Sequence, residues 1–170
     1  MVDEFSAFAR MPQPVMQPLS LRELVLGQVA LFDGQGVSIE ANLGSPEAPA
    51  MVVGDAGLLR QALTNIIQNA MDSLAESGPE SPHIVLELVP REGGLALTVT
   101  DNGPGFPDID RARLVEPYVT KRDKGTGLGL AIVSKIIQDH GGELELKDAE
   151  GGGACVAINL PAHDEMESAS

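Results

Sequence analysis

Three glycines at alternate positions, Gly125, Gly127 and Gly129, lead directly into a segment whose apolar residues recur with helical spacing as far as Asp139. Glycine allows backbone conformations that other residues rarely adopt, and it lets the chain approach a ligand closely. The first turn of the following helix carries backbone N–H groups without helical partners, and such groups bind anions. The sequence therefore predicts a phosphate-binding loop followed by a helix over residues 128–139.

Two further motifs precede this loop. The residues Asp-Asn-Gly-Pro-Gly at 101–105 follow a strand-like run at 95–100, and they predict a turn that begins with a carboxylate. Farther upstream, Asn65, Asn69 and Asp72 lie at positions i, i+4 and i+7 of a helical pattern. This spacing places the three polar side chains along one edge of the helix.

Composition limits the class of protein. A chain of 170 residues with 43% hydrophobic content predicts one sizeable core. The formal net charge of -14 argues against duplex nucleic acid or an anionic membrane as the main partner, because both attract basic proteins. A single cysteine, Cys155, excludes an internal disulfide and a cysteine-rich metal site. No signal pattern or long apolar run is present, so we expect a cytoplasmic protein or the cytoplasmic portion of a membrane-bound sensor.

The order of predicted elements indicates an α/β fold. Ser20 and Asp55 are predicted N-caps of two helices, and the segment after the glycine loop forms a third. Strand-like runs alternate with these helices at residues 37–41, 51–53, 84–89, 95–100, 143–147 and 154–160. Strands interleaved with three helices favour a mixed sheet that is covered by helices on one face.

Together the three motifs resemble the ATP site of the GHKL superfamily, which includes sensor histidine kinases, gyrase, Hsp90 and the MutL repair proteins. The resemblance covers residues 19–160. It implies the two-layer α/β sandwich called the Bergerat fold, with ATP and Mg²⁺ as the bound ligands. Periodicity alone would not have distinguished this arrangement from other α/β folds.

The resemblance also implies a role for each motif. Asn69 is expected to bind Mg²⁺ through its amide oxygen, and Asp101 to accept a hydrogen bond from the adenine amino group. Guanine is disfavoured there, because its carbonyl oxygen would face the carboxylate as acceptor against acceptor. Arg122 aligns best with the family cation that reaches the β- or γ-phosphate, although Lys121 and Lys124 stay open for that contact. The implied nucleotide-binding residues are Asn65, Asn69, Asp72, Asp101, Gly103, Gly105, Thr120, Lys121, Arg122, Gly125, Thr126, Gly127, Leu128 and Gly129.

Two positions depart from the family pattern, and both bear on catalysis. Asp72 stands where many sensor kinases have a lysine or arginine, which removes one phosphate contact or places a carboxylate near the adenine side. Asn65 stands where the ATPase branches have a glutamate that activates water. Without that base we expect slow hydrolysis, so Asn65 and Arg122 are predicted to serve transfer of phosphate to an external nucleophile.

No histidine in the chain has the context of a phosphate acceptor. His83, His140 and His163 each lack the following Glu and Pro, so the acceptor histidine is expected outside this chain. His140 is predicted to serve the end of a helix instead, as a cation or as a hydrogen-bond donor.

Three segments are expected along the chain. Residues 3–12 resemble the end of the dimerisation helix in NtrY-like sensor kinases, so residues 1–13 are assigned to that helix and a linker; an N-terminal arm packed on its own domain is the alternative. Residues 14–161 form the predicted catalytic ATP-binding domain. Residues 162–170 are predicted to be a disordered acidic tail.

The sequence therefore predicts the ATP-binding domain of a two-component sensor histidine kinase. Its expected partners are the histidine-bearing dimerisation domain of the parent kinase and, through that domain, a response regulator. Three alternatives stay open: an autonomous GHKL ATPase, an anti-sigma serine kinase, and a nucleotide-sensing or scaffold module without catalysis.

Overall fold

A computed structural model describes residues 13–44, 50–77, 80–105, 129–149 and 152–161. Within these ranges the helices are α1, Leu21–Phe32; α2, Ala56–Ser77; and α3, Gly129–Asp139. The strands are β1, Gln17–Ser20; β2, Ser38–Asn42; β3, Met51–Gly54; β4, His83–Arg91; β5, Gly94–Asp101; β6, Glu143–Asp148; and β7, Ala154–Pro161. None of the described helices combines the length and apolar character that a bilayer crossing requires.

Side-chain caps fix where the first two helices begin. The Ser20 hydroxyl accepts a hydrogen bond from the backbone N–H of Glu23 at 3.3 Å. At the start of α2, the Asp55 carboxylate accepts one from the backbone N–H of Leu58 at 3.1 Å. Each cap satisfies an N–H group that has no partner inside the helix. Both predicted caps are confirmed.

A five-stranded mixed sheet carries the fold, in the order β2-β4-β5-β7-β6. The β2–β4 pair is parallel, and the other pairs are antiparallel. Alternate residues of β4, namely Ile84, Leu86 and Leu88, are buried in the same core as the apolar faces of the helices. The residues between them point to the other face, where Glu87 and Val89 are exposed. The two-layer α/β sandwich with helices on one face is therefore confirmed.

A second, two-stranded sheet lies outside this main sheet. β1 pairs antiparallel with β3, so that Pro18 stands opposite Val53 and Ser20 opposite Met51. The sequence analysis predicted no strand at these residues. A proline has no N–H group to donate, so its presence argues against a sheet interior, but a short edge strand tolerates it.

Several predictions fall outside the described residues. They concern the helical stub at 1–12, the acidic tail at 162–170, and the segment 106–128 that contains the cationic residues and most of the glycine loop.

Candidate functional site

The polar edge of α2 forms one wall of the candidate site. Asn65, Asn69 and Asp72 all lie on α2 and are half-buried, because the neighbouring positions Ile66 and Ile67 turn into the core. The Gln68 side chain donates a hydrogen bond to the Asp72 carboxylate at 2.9 Å. The three predicted side chains therefore share one helix edge, beside the core and within reach of solvent.

Asp101 lies at the end of β5, directly beneath α2. It continues the inward-facing alternation of Leu97 and Val99, and only 6% of its surface is exposed. Its Oδ1 accepts hydrogen bonds from the backbone N–H groups of Gly103 at 2.8 Å and of Ala154 at 3.4 Å. Two backbone donors thus hold the carboxylate in a fixed orientation.

Close backbone approach around Asp101 explains two of the glycines. A Cβ atom at Gly103 would lie 3.0 Å from Asp101 Oδ1 and equally 3.0 Å from Ser73 Oγ. At Gly153, where φ is +99°, a Cβ atom would overlap the Asp101 carbonyl oxygen. Gly105 lies next to Gly153 on the other side of the turn. Three backbone segments therefore meet at the carboxylate only because side chains are absent there.

Asn102 is a residue of this turn whose role the sequence analysis missed. Its Oδ1 accepts a hydrogen bond from the His83 backbone N–H at 2.9 Å, and its Nδ2 donates one to the Ser81 carbonyl at 2.8 Å. The side chain thus ties the turn after β5 to the start of β4. An asparagine directly after a strand is a known turn signal, but its partners 19 and 21 residues away could not be read from the sequence.

Ser73 is a second residue that the sequence analysis missed. It is buried to 95%, since 5% of its surface is exposed, and it contacts the turn at Gly103. A signal was present: Asn65, Asn69 and Ser73 recur every four residues, so Ser73 extends the polar edge of α2 by one turn toward Asp101.

The structure brings the first two predicted motifs together. Through Ser73 and Gly103, the helix that carries Asn69 meets the turn that carries Asp101. The predicted helix after the glycine loop is present as α3, which begins at Gly129 and packs along α2. The other predicted residues of the third motif and its cations lie outside the described residues: Thr120, Lys121, Arg122, Gly125, Thr126, Gly127 and Leu128.

The opposite end of α2 holds His140, which is 2% exposed. Its Nδ1 lies 2.7 Å from the Ile136 carbonyl oxygen, which can only accept, and its Nε2 accepts from the Asp55 backbone N–H at 3.0 Å. One ring nitrogen therefore donates and the other accepts, which is the pattern of a neutral imidazole. The predicted hydrogen-bond donor at the end of a helix is confirmed; the alternative of a cation does not suit this geometry.

Asp55 joins three segments at this end. Besides capping α2, its carboxylate accepts a hydrogen bond from the Val15 backbone N–H at 2.9 Å. These backbone bonds, chiefly from Val15 and Leu58, lower the pKa of the Asp55 carboxyl below its ordinary value because they favour the charged form. At this end of α2, the polar groups of Asp55 and His140 are thus hydrogen-bonded within the protein.

Comparisons with known proteins agree with this geometry. The sequence profile of the histidine kinase-, DNA gyrase B- and HSP90-like ATPase family matches residues 54–164. The nitrogen regulation protein NtrY of Azorhizobium caulinodans is 43% identical over 174 aligned residues, which cover 95% of this chain and 21% of that protein. The chain therefore spans about a fifth of the length of this curated relative.

Solved structures give the same picture. The mycobacterial sensor histidine kinase MprB superposes with a TM-score of 0.74 at 28% identity, covering 88% of this chain and 99% of that one. Full-length ShkA in complex with AMPPNP superposes with a TM-score of 0.77 at 27% identity, covering 96% of this chain and 36% of that one.

Proposed function

Because the chain belongs to the family of histidine kinase-, DNA gyrase B- and HSP90-like ATPases, we propose that it is the ATP-binding catalytic domain of a two-component sensor histidine kinase. It holds Mg-ATP for transfer of the γ-phosphoryl group to a histidine on another domain. Its relatives NtrY and MprB, the second a sensor histidine kinase by name, support the kinase branch over the other branches of the family. We assign residues 14–161 to this domain, 1–13 to a helix end and linker, and 162–170 to a tail.

The fixed carboxylate of Asp101 is the observation that carries the proposal. It is buried, oriented by two backbone N–H groups, and set in a turn that glycines keep clear of side chains. A carboxylate held in this way accepts a hydrogen bond from the adenine amino group and repels the carbonyl oxygen of guanine. Gly103 and Gly105 add no side chain of their own next to this carboxylate.

Asn69 is the proposed protein ligand of Mg²⁺. Its neutral amide oxygen suits a hard cation that keeps most of its ligands as water and phosphate oxygens. The residue is half-buried on a helix, and its side chain makes no hydrogen bond with another residue of the described ranges. The donor chemistry therefore fits the ion, which when bound would neutralise charge on the phosphates.

The remaining roles follow from what phosphoryl transfer demands. Transfer depends mainly on positioning and on neutralising charge, so a domain that holds the nucleotide and admits an outside nucleophile is sufficient. Asn65, in place of a carboxylate, supplies no general base for water. Arg122 is the proposed phosphate contact, and the histidine-bearing domain of the parent kinase is the proposed partner. A response regulator then acts on that domain, in the cytoplasm.

A binding and transfer experiment tests the proposal. We expect calorimetry with Mg-AMPPNP to detect binding by the wild-type chain, and Asn69→Ala to weaken it at least about tenfold, because the ion loses a direct ligand. Gln61→Ala, an exposed change on the same helix, is the matched control and should bind as wild type. When Mg²⁺ is removed with a chelator, Asn69→Ala and wild type should bind AMPPNP with equal affinity.

The transfer step uses the separately purified histidine-bearing domain of the parent kinase. With labelled ATP, label should appear on that domain and not on the chain itself. Steady release of phosphate without label on the added domain would favour an autonomous ATPase, and label on serine would favour a serine kinase.

A further inference from the structure

The small sheet formed by β1 and β3 has an apolar outer face. Residues directly opposite each other in an antiparallel pair point to the same side, and successive residues point to opposite sides. Leu19 and Val52 stand opposite each other and pack in the core. Pro18, Val53 and Met51 occupy the alternate positions and therefore point away from the core, and Met51 is 39% exposed. We call these three residues the ribbon face.

Neither segment of this small sheet carries a charge. Residues 13–20 and 50–54 contain no Asp, Glu, Lys or Arg, although these four types make up 21% of the chain. Exposed edge strands usually carry charges that discourage pairing with other chains, and a two-stranded sheet has two such edges. An uncharged edge strand beside an exposed apolar face is typical of a surface that another apolar segment covers.

The residues that precede β1 supply an apolar segment of the right kind. Val2, Phe5 and Phe8 recur with helical spacing, which predicts that they lie on one side of a helix. A helix with one apolar side needs an apolar surface to pack against. The ribbon face is such a surface, and it belongs to the strand that directly follows this segment.

The chain is also tethered close to the ribbon face. The Val15 backbone N–H is bonded to the Asp55 carboxylate at 2.9 Å, and Asp55 directly follows β3. Phe8 lies seven residues before Val15, a stretch that spans up to about 25 Å. β3 has four residues and is roughly 13 Å long, so the segment can reach every part of the ribbon face. Such a tether raises the effective concentration of the segment at that surface.

We propose that the ribbon face is the docking surface for residues 1–12 of this chain, with Phe5 and Phe8 packed against Met51 and Val53. The inference goes beyond the proposed function, which assigns residues 1–13 to a helix end and linker. Under that assignment, docking sets the orientation of the ATP-binding domain relative to the helix that precedes it.

Nuclear Overhauser effects test the contact directly in the full 170-residue chain. We expect cross-peaks between the Met51 methyl group and the ring protons of Phe5 or Phe8. Leu26 and Leu31 on α1 are the competing surface, because both are exposed apolar side chains. Cross-peaks from the two rings to these leucines in place of Met51 would overturn the proposal, and so would the absence of any cross-peak from the rings.

A double-mutant cycle in urea measures the energy of the same contact. Replacing Phe5 and Phe8 together by alanine should lower the folding equilibrium constant about fivefold, a coupling typical of residues in contact. Met51→Glu places a charge on the ribbon face and should prevent docking, so the double alanine change should then have less than about a twofold effect. Leu26→Glu is the matched control on α1 and should preserve the fivefold effect.

The outcomes also separate this inference from other occupants and from the proposed function. An equal effect of the double alanine change in wild type and in Met51→Glu, or no effect in wild type, would overturn the docking. An effect that grows with protein concentration would place residues 1–12 on a second copy of the chain and would overturn it as well. Both measurements are made without nucleotide, so their failure would leave the proposed ATP binding intact.

Discussion

The two ends of α2 contrast in how their polar groups are used. At its start, Asp55 and His140 bond to each other's segments and to the backbone of Val15 and Leu58. Toward its other end, the side chains of Asn69 and Ser73 make no hydrogen bond with another residue of the described ranges. Buried polar groups cost stability unless they are paired, and the first set is paired within the fold. The half-buried Asn69 amide keeps its hydrogen-bonding capacity for solvent or a ligand. The contrast predicts that changes at one end alter stability and changes at the other alter binding.

The largest expected effect is on binding, at Asp101. In Asp101→Asn the amide oxygen can keep the bonds from Gly103 and Ala154, and the amide N–H then faces the adenine amino group, donor against donor. We expect the affinity for Mg-ATP to fall roughly a thousandfold, about 4 kcal/mol, because a site built for a hydrogen bond strongly rejects a mismatch. Calorimetry checks this, and the preference for ATP over GTP should narrow. If Asp101→Asn instead lowers the free energy of unfolding by a large amount, Asp101 has a structural role.

The next effect is on stability, at His140. His140→Leu leaves the part-buried Asp55 N–H without its partner, while the Ile136 carbonyl keeps the backbone N–H of residue 140, so the free energy of unfolding should fall by about 2 kcal/mol. A glutamine carries one donor and one acceptor on its amide, so His140→Gln should lose less than half as much. Urea unfolding measures both variants. Nucleotide affinity should stay within about twofold of wild type, and a larger change would break the contrast between the two ends.

The smallest effect is at Asp55. Asp55→Ala removes the cap of α2 and should lower the free energy of unfolding by about 1 kcal/mol at pH 7, as cap removal does elsewhere. Asp55→Ser can still cap the helix but is too short to reach Val15 as well, so it separates the two contacts. Urea unfolding of the three proteins at pH 7 gives the comparison.

Low pH should remove the stabilisation that the charged Asp55 carboxylate gives to the folded chain. Its pKa is lowered in the folded chain by the Val15 and Leu58 N–H groups. A lowered folded pKa stabilises the fold above the unfolded pKa of about 3.9, and this stabilisation is lost as the pH falls through the folded pKa. The difference between wild type and the non-titrating Asp55→Asn should therefore be constant above about pH 5 and shrink below pH 4. A difference that grows in acid would contradict the assignment.

Local signals in the sequence predicted the fold well, whereas contacts between distant segments were not accessible. The caps at Ser20 and Asp55 depend on neighbours three residues away and were predicted correctly. β1 depends on pairing with β3, more than thirty residues along the chain, and its proline argued against a strand. The alternation of buried residues along β5 is a local pattern, and it places Asp101 on the face of the sheet that the helices cover. The proximity of Ser73 to this turn depends on how α2 packs, so it could not be read from the sequence.

The candidate site was predicted in part for the same reason. Asn69, Asp101 and Gly103 lie in motifs whose residue types suggest their chemistry. Asn102 and Ser73 have roles that come entirely from partners, 19 and 21 residues away for Asn102 and about thirty for Ser73. A serine in the middle of a helix has no distinctive pattern until the turn that contacts it is known.

Under the proposed placement of the base at Asp101, the contact between Asp101 and the final hairpin sets the shortest fragment expected to bind it. Ala154 donates to the Asp101 carboxylate, and the bare backbone of Gly153 lies against its carbonyl. A fragment that stops after α3 would retain all three sequence motifs but lose one of the two backbone donors to the Asp101 carboxylate. On the proposed function the last two strands belong to the base-binding site, so truncations for crystallography or inhibitor screening should keep the chain intact through Pro161.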